Sequence, residues 1–563
     1  MKKNIFILFL FVNVSLHAQI KYPNNFFRSP LDIPLRLSGT FGELRNNHFH
    51  AGIDLKTNQR TGLKVYATAD GYVSRIKVAL WGYGKVIYIT HSNGYTSVYA
   101  HLDRFGDGIQ EYVKNIQYQK ESYETGNIYP AENEIMVKKG QVIAYSGRTG
   151  GFIAPHLHYE IRETKTEHII NPMHFGLNIK DSIAPKINKL LVYPIDLSSR
   201  INGSIKKQNL PIKLDKHNRY VTNRVTALGK IGFGINTYDL VGNESNKNGI
   251  YSIEMLVNGK RYYYHDVETF SFPESKFINL LIDYPHFALY KSRIQKTFIE
   301  KGNKLSIYKE LINEGVLDIK EGLNYQVEII TKDFIGNSSS LRIPVIGLKS
   351  KPILQQSDTT NYRINKKEFQ KFTKNGVTIA FPKNTFYKDE YIHFSVNGTI
   401  ANIHKPIIPL DKNFTISFDS TMYKKSDVDY IYIANVNNKK YPYYQKTRKR
   451  SNKLFTTTKT LGSYTLLFDN NKPKIYGANF NNGDWVSRLK FLTVKISDLE
   501  SGINSFNAYI DNEWVLMEYD LKNKKLSYDF SDKKLVGSKH IFKLVVFDNV
   551  GNTNTYNSTF YRK

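Results

Sequence analysis

Two strings, HFHAGID (48–54) and PHLHYEI (155–161), contain the residue types and spacings that could hold a metal ion and use it. His50 and Asp54 stand in H-x-x-x-D spacing, and His156 and His158 in H-x-H spacing. On a strand, side chains at i and i+2 share a face, so an H-x-H pair on a strand points one way and Leu157 the other. The YEIR that follows keeps the alternation, and Gly52 lets the HAGIDL backbone bend so that Asp54 can return to an ion held by His50. His50, Asp54 and His158 are assigned as ligands. Two imidazoles and a carboxylate leave the fourth position of a tetrahedral zinc open to water, which is a catalytic rather than a structural arrangement.

His156 then lies beside the ion, and His101 in YAHL ends an alternating apolar run. Zinc lowers the pKa of its water to about 7. Histidine is the side chain best suited to move a proton at that pH, or to donate to the oxyanion formed when an amide carbon is attacked. His156 is given the general-base role and His101 the stabilising role, and the two could be exchanged. His48 also forms an H-x-H with His50, but its offset from Asp54 differs, and it reads as a surface or outer histidine. His91, His168 and His174 read as structural or solvated.

These residues resemble the lysostaphin-type (LytM-like) zinc metallopeptidases over about residues 35–176. The likeness takes in SGTFGELR, HAGIDL, VYATADGYVSRI, GYGKVIYITHSNGYTSVYAHL and KKGQVIAYSGRTGGFIAPHLHYEIR. It implies an antiparallel β-domain over 28–178 and one zinc held by His50, Asp54 and His158. It also implies non-ligand catalytic histidines at His101 and His156, and cleavage of peptide bonds in peptidoglycan stem or cross-bridge peptides. Some relatives have lost ligands and act only as activators of other wall hydrolases; the full motif here argues against that. A non-catalytic scaffold and an exported protease acting on proteins are the rival readings. The chain departs from the family at residues 103–137, where a short connection is usual. Within it, Ile109, Tyr112, Val113 and Ile116 have the i, i+3, i+4, i+7 spacing of an amphipathic helix, which could form one wall of the cleft.

The elements around this site follow from composition. Residues 1–18 read as a secretory signal peptide, with Lys2 and Lys3, a short apolar run and Ala18. Export to the periplasm or beyond is expected, with no transmembrane segment. No cysteine is present, which excludes a disulfide framework and a lipoprotein anchor. The formal charge of +29, with a cluster at KTRKR (446–450), suits polyanions. Export points to peptidoglycan or other anionic envelope polymers, not nucleic acid. Too few residues precede SPLDIPLRLSG for a typical inhibitory pro-segment, so any latency would fall to the insertion or the later domains.

Past residue 180 the chain reads as a mainly β fold of immunoglobulin-like sandwiches at 180–347 and 471–563, with another β-rich domain at 348–470. The joints are IKDSIAPKI (179–187), Pro344 to Pro352, and DNNKPKI (469–475). DLVGN (239–243), DFIGN (333–337) and DNVGN (548–552) each follow an alternating run and suit tight turns. One aspartate per turn is too few ligands for calcium. No catalytic constellation follows residue 176.

Overall fold

The computed structural model describes residues 22–151, 154–242, 245–349, 360–421 and 423–563. The expected leader 1–18, Asn243 of DLVGN and the joint at Pro352 lie outside the described residues. The fold is mainly β. The N-terminal part contains β1 (Leu37–Gly39), β2 (Ile53–Lys56), β3 (Lys64–Tyr66), β4 (Gly71–Val78), β5 (Lys85–Thr90), β6 (Tyr95–Ala100) and β7 (Leu102–Phe105). After these come helix α1 (Asp107–Gln119), β8 (Gly126–Ile128), β9 (Met136–Val137), β10 (Val142–Ser146), β11 (His156–Glu163) and β12 (Ile169–Ile170). The main sheet runs β1-β2-β11-β6-β5-β4-β8, and a smaller sheet runs β3-β10-β7. β11 sits between β2 and β6, antiparallel to both. It therefore carries the H-x-H pair at the middle of the sheet. Leu157, Tyr159 and Ile161 enter the hydrophobic core, as strand alternation requires.

The insertion completes the sheet rather than hanging as a loop. Helix α1 forms where the apolar spacing predicts it, burying Ile109 and Val113, while Tyr112 and Ile116 pack partly buried against the same core. Asp107 stands in its first turn, where the helix dipole favours a carboxylate. β8 then pairs with the edge of β4. The helix also meets the end of the chain. The Tyr118 ring packs edge-on against Trp514 at 5.4 Å, and Lys114 pairs with Asp532.

The sheet does not stop at the expected joint near 178. β12 pairs with Thr269–Phe270, and Val241, Val267, Phe270, Ile278 and Leu281 belong to the same hydrophobic core as this sheet. A second core fills residues 187–345. Short helices at Phe272–Ser275, Ile278–Leu281 and Tyr284–Tyr290 interrupt the β pattern. The first is set by a Ser271–Glu274 capping box with a proline in its first turn. Residues 362–468 form two five-stranded sheets and a two-stranded pair around a third core. Residues 474–561 form a four-stranded and a five-stranded sheet around a fourth. Two of the D-x-x-G-N turns, DFIGN and DNVGN, are built as their chemistry predicts. Asp333 Oδ1 accepts from the Gly336 and Asn337 amides at 2.7 and 2.9 Å, and Asp548 Oδ1 from Gly551 and Asn552 at 2.7 and 2.8 Å.

Candidate metal centre and cleft

Register brings the acid and one histidine together. Asp54 on β2 lies directly opposite His158 on β11, and His158 lies opposite Ala100 on β6, one residue before His101. Directly opposed side chains have Cβ atoms about 5 Å apart. Gly52 stands at a bend, as expected, and it also makes this register possible. A Cβ there would fall 2.4 Å from the Tyr159 carbonyl oxygen, so glycine is required for close strand approach. His50 reaches the same point from the loop before β2, its amide donating to the Glu43 carbonyl at 2.9 Å.

Three buried atoms then meet. His50 Nε2, His158 Nδ1 and Asp54 Oδ1 lie 2.9–3.0 Å from one another. The outer ring nitrogens settle which atoms carry protons. His50 Nδ1 donates to the Thr40 carbonyl at 2.7 Å, and His158 Nε2 donates to Glu160 Oε1 at 2.8 Å. When both rings are neutral, as a bound cation would require, the two inward nitrogens present lone pairs beside a carboxylate oxygen. Three acceptors facing one point call for a cation, and two imidazoles with one carboxylate suit zinc. The edge of a tetrahedral zinc site is about 3.3 Å, close to the spacing observed. Without a metal, burial lowers the pKa of His158, but hydrogen bonds to Asp54 and Glu160 outweigh it and raise the value to about 9. Burial works to raise Asp54, yet His50 and His158 hold it well below the usual carboxylate range. Arg45 adds an ion pair to Asp54 Oδ2 at 2.7 Å.

His101 and His156 stand next to this group, their rings 4.8 Å apart. His156 Nε2 lies 3.7 Å from Asp54 Oδ1. His101 breaks β6 from β7 with a left-handed backbone, φ 60°, a conformation that histidine tolerates better than most residues and that is common where geometry serves a site. Each ring is held through Nδ1, His101 by the Thr149 carbonyl and His156 by the Ala154 carbonyl, both at 3.0 Å. Burial and the neighbouring His158 and His156 push His101 well below 6.5, and burial also lowers His156. Both are therefore neutral at pH 7.

Sequence reasoning missed the outer partners. Glu160 is fully buried on the same face as His158 and accepts from His158, Tyr83 and Arg162. Burial would raise its pKa, but Arg162 and His158 hold it at about 2. The alternation in HLHYEIR was the available signal, since it places Glu160 and Arg162 in line with the H-x-H pair. Thr40 acts through a main-chain carbonyl and leaves no such trace. The other histidines lie apart from the centre. His48 is exposed, and His91 is buried between the Asp70 carbonyl and Ser97 Oγ, 2.8 Å from each. His168 is exposed, and His174 packs against Phe334.

A cavity of about 540 Å³ borders the segment that holds His101 and His156. Lys85, Asp103, Arg148, Thr149 and Pro155 line one side, and Glu518 to Lys522 line the other. Lys85 pairs with Glu518 at 2.8 Å and Arg148 with Asp520 at 2.7 Å. Tyr123 of the insertion completes the wall. Among the described residues, no helix is long and apolar enough to cross a membrane.

Residues 48–120 match peptidase family M23, and residues 361–469 match the Zu5-like domain. The chain is 35% identical over 132 residues to the DD-carboxypeptidase/endopeptidase Mpg of Neisseria meningitidis serogroup B, covering 23% of this chain and 24% of that protein. It is 32% identical over 143 residues to the peptidoglycan DD-endopeptidase ShyC of Vibrio cholerae, covering 24% and 26%. It is 33% identical over 136 residues to the murein hydrolase activator NlpD of Escherichia coli, covering 24% and 28%. The matched stretch thus spans about a quarter of each of these relatives.

Proposed function

We propose that the peptidase family M23 domain of this chain is an exported zinc endopeptidase that cleaves stem or cross-bridge peptides of peptidoglycan. The observation that carries the reading is the convergence of His50 Nε2, His158 Nδ1 and Asp54 Oδ1, with both histidine protons committed elsewhere. A bound zinc would supply a Lewis acid for the scissile carbonyl and acidify water at its open position. Glu160 and the Thr40 carbonyl keep the two ligand imidazoles in the required tautomers and orientations. His156 Nε2 takes the proton of the attacking water as the new C–O bond forms, and returns it to the amine nitrogen as the C–N bond breaks. His101, whose ring stands 4.8 Å from that of His156, is given the role of stabilising the carbonyl oxygen, and the two roles are open to exchange. The relatives named for DD-endopeptidase activity support the substrate class. The reading extends to an envelope location reached through residues 1–18, and to attraction of the basic surface to anionic wall polymers. The protein is not read as a nucleic-acid binder.

The test is digestion of purified peptidoglycan by residues 19–563, followed by mass analysis of the released fragments. Loss of cross-linked dimers, abolished by a chelator and by Asp54→Ala, is the expected result. No release despite one zinc per chain refutes the wall-peptidase reading and favours a protease of other substrates. No release and no zinc favours a non-catalytic activator, as the NlpD likeness allows.

A further inference from the structure

Three aspartates far apart in sequence meet where the catalytic sheet abuts the unit that follows it. Asp181, Asp239 and Asp333 offer carboxylate oxygens that all lie within 4.8 Å of one another. Asp181 comes from the D-x-x-x-P-K-I segment, Asp239 follows the strand Val225–Tyr238, and Asp333 opens the DFIGN turn. Two of them have local partners. Asp181 Oδ1 accepts from the amides of Ile183 and Gly242, and Asp333 accepts from Gly336, Asn337 and the Asn337 side chain. Asp239 differs. It is 2% exposed, its Oδ1 accepts no hydrogen bond, and it lines a cavity of about 40 Å³ together with Asp181 and Asp333. Among the described residues, no salt bridge reaches any of the three. Asn248, whose backbone pairs with that of Asp239, is also 2% exposed with an unpartnered Oδ1.

A buried carboxylate oxygen with no donor, facing two more carboxylates, is costly unless something positive stands between them. Burial and the facing Asp181 and Asp333 push the Asp239 pKa up to about 7. An oxygen-only donor set selects a hard cation, and several carboxylates with neighbouring carbonyl oxygens suit calcium. One aspartate per turn is too few, but three separate segments deliver their aspartates to a single point. We propose that Asp181, Asp239 and Asp333 bind a calcium ion at the joint between the catalytic sheet and the following unit. The ion would brace the joint beside Thr40, whose hydroxyl donates to the Gly249 carbonyl at 3.0 Å. Asp469, Asp498 and Asp548 form a second cluster, with Asp469 and Asp548 in motifs that match those of Asp181 and Asp333. All three accept backbone amides there, so that cluster serves as a control.

The experiment is calorimetric titration of calcium chloride into residues 19–563 stripped of divalent ions, with thermal unfolding in parallel. Asp239→Asn and Asp498→Asn are compared with the parent. The expected result is that Asp239→Asn binds one calcium fewer per chain and loses the calcium-dependent rise in Tm, while Asp498→Asn keeps both. Asp239→Asn removes one of three like charges, so its Tm in chelator should not fall below the parent's, which separates lost binding from misfolding. No calcium uptake by the parent at millimolar concentration overturns the proposal. So does unchanged uptake in Asp239→Asn, or loss of the calcium response in Asp498→Asn alone.

Discussion

Glu160→Gln tests whether the buried carboxylate behind His158 tunes the metal centre or only pairs with Arg162. Glu160 is fully buried and the Arg162 side chain is 4% exposed, so the substitution leaves a guanidinium facing a neutral amide. Removing one member of a buried pair costs about 3–5 kcal/mol. Arg162 keeps Glu167 at 3.2 Å, a half-exposed partner, which places the loss near the lower figure. A loss of about 3 kcal/mol lowers Tm by roughly 6–12 °C for a unit of this size. Zinc affinity should fall about 10–100-fold, because the amide that replaces the carboxylate holds the His158 N–H without a charge. That range equals roughly 1.4–2.7 kcal/mol. Arg162→Met separates the two effects. It breaks the same pair and loses comparable stability, yet it leaves the Glu160–His158 hydrogen bond in place, so zinc affinity should hold. Stability is read by thermal unfolding in chelator, which removes the linkage to bound metal. Affinity is read by competition with a chromophoric chelator. A loss under about threefold in Glu160→Gln, or an equal loss in Arg162→Met, refutes the orienting role.

Gly52→Ala places a Cβ 2.4 Å from the Tyr159 carbonyl. It should shift the Asp54–His158 register and cost most of the zinc content and activity, as measured by metal analysis and peptidoglycan digestion. Gly108→Ala is the matched control. It lies exposed in α1 with nothing within 4 Å of the added carbon, and should stabilise by about 0.5–1 kcal/mol in denaturant unfolding. His91 has its pKa lowered to about 4 by burial. It is neutral in both folded and unfolded chains above about pH 6.5, and only the unfolded chain takes up a proton as pH falls from there to 4. Stability should therefore drop by about 3 kcal/mol across that window, and His91→Asn should flatten this limb of the unfolding curve. Trp514→Ala removes the ring packed on Tyr118. It should loosen residues 513–532 from α1, speeding proteolysis there and raising turnover of insoluble peptidoglycan more than that of a short soluble peptide.

The parts legible in the sequence share one property: their geometry is set within a few residues. H-x-H needs only strand alternation, the insertion helix only the 3.6-residue period, and the D-x-x-G-N turns only Asx and glycine chemistry. The missed parts depend on pairings between distant segments. Glu160 matters because β11 buries that face beneath Tyr83, and Gly52 because β11 passes within contact of it. The short helices at 272–290 stay helical through a capping box and prolines in a region whose overall composition favours strands. The three aspartates at 181, 239 and 333 each look like an ordinary turn residue, and only the fold shows that they face one cavity.

The two flanking units touch different halves of the histidine cluster. The unit after residue 180 reaches the His50 side: Ser275 Oγ accepts the Phe49 amide at 2.7 Å, and the Gly249 carbonyl accepts Thr40 Oγ1, next to the carbonyl that orients His50. The end of the chain reaches the other side: Asp520 pairs with Arg148, beside the Thr149 carbonyl that holds His101. A disturbance at the first joint therefore acts on His50, and one at the second on His101. Weakening the first contact with Ser275→Ala should lower zinc affinity with little change in turnover of the zinc-loaded protein. Weakening the second with Asp520→Asn should leave zinc affinity intact and alter turnover. If both variants change the same quantity, the two joints are not separate inputs, and the loops at 40–50 and 148–155 move as one body.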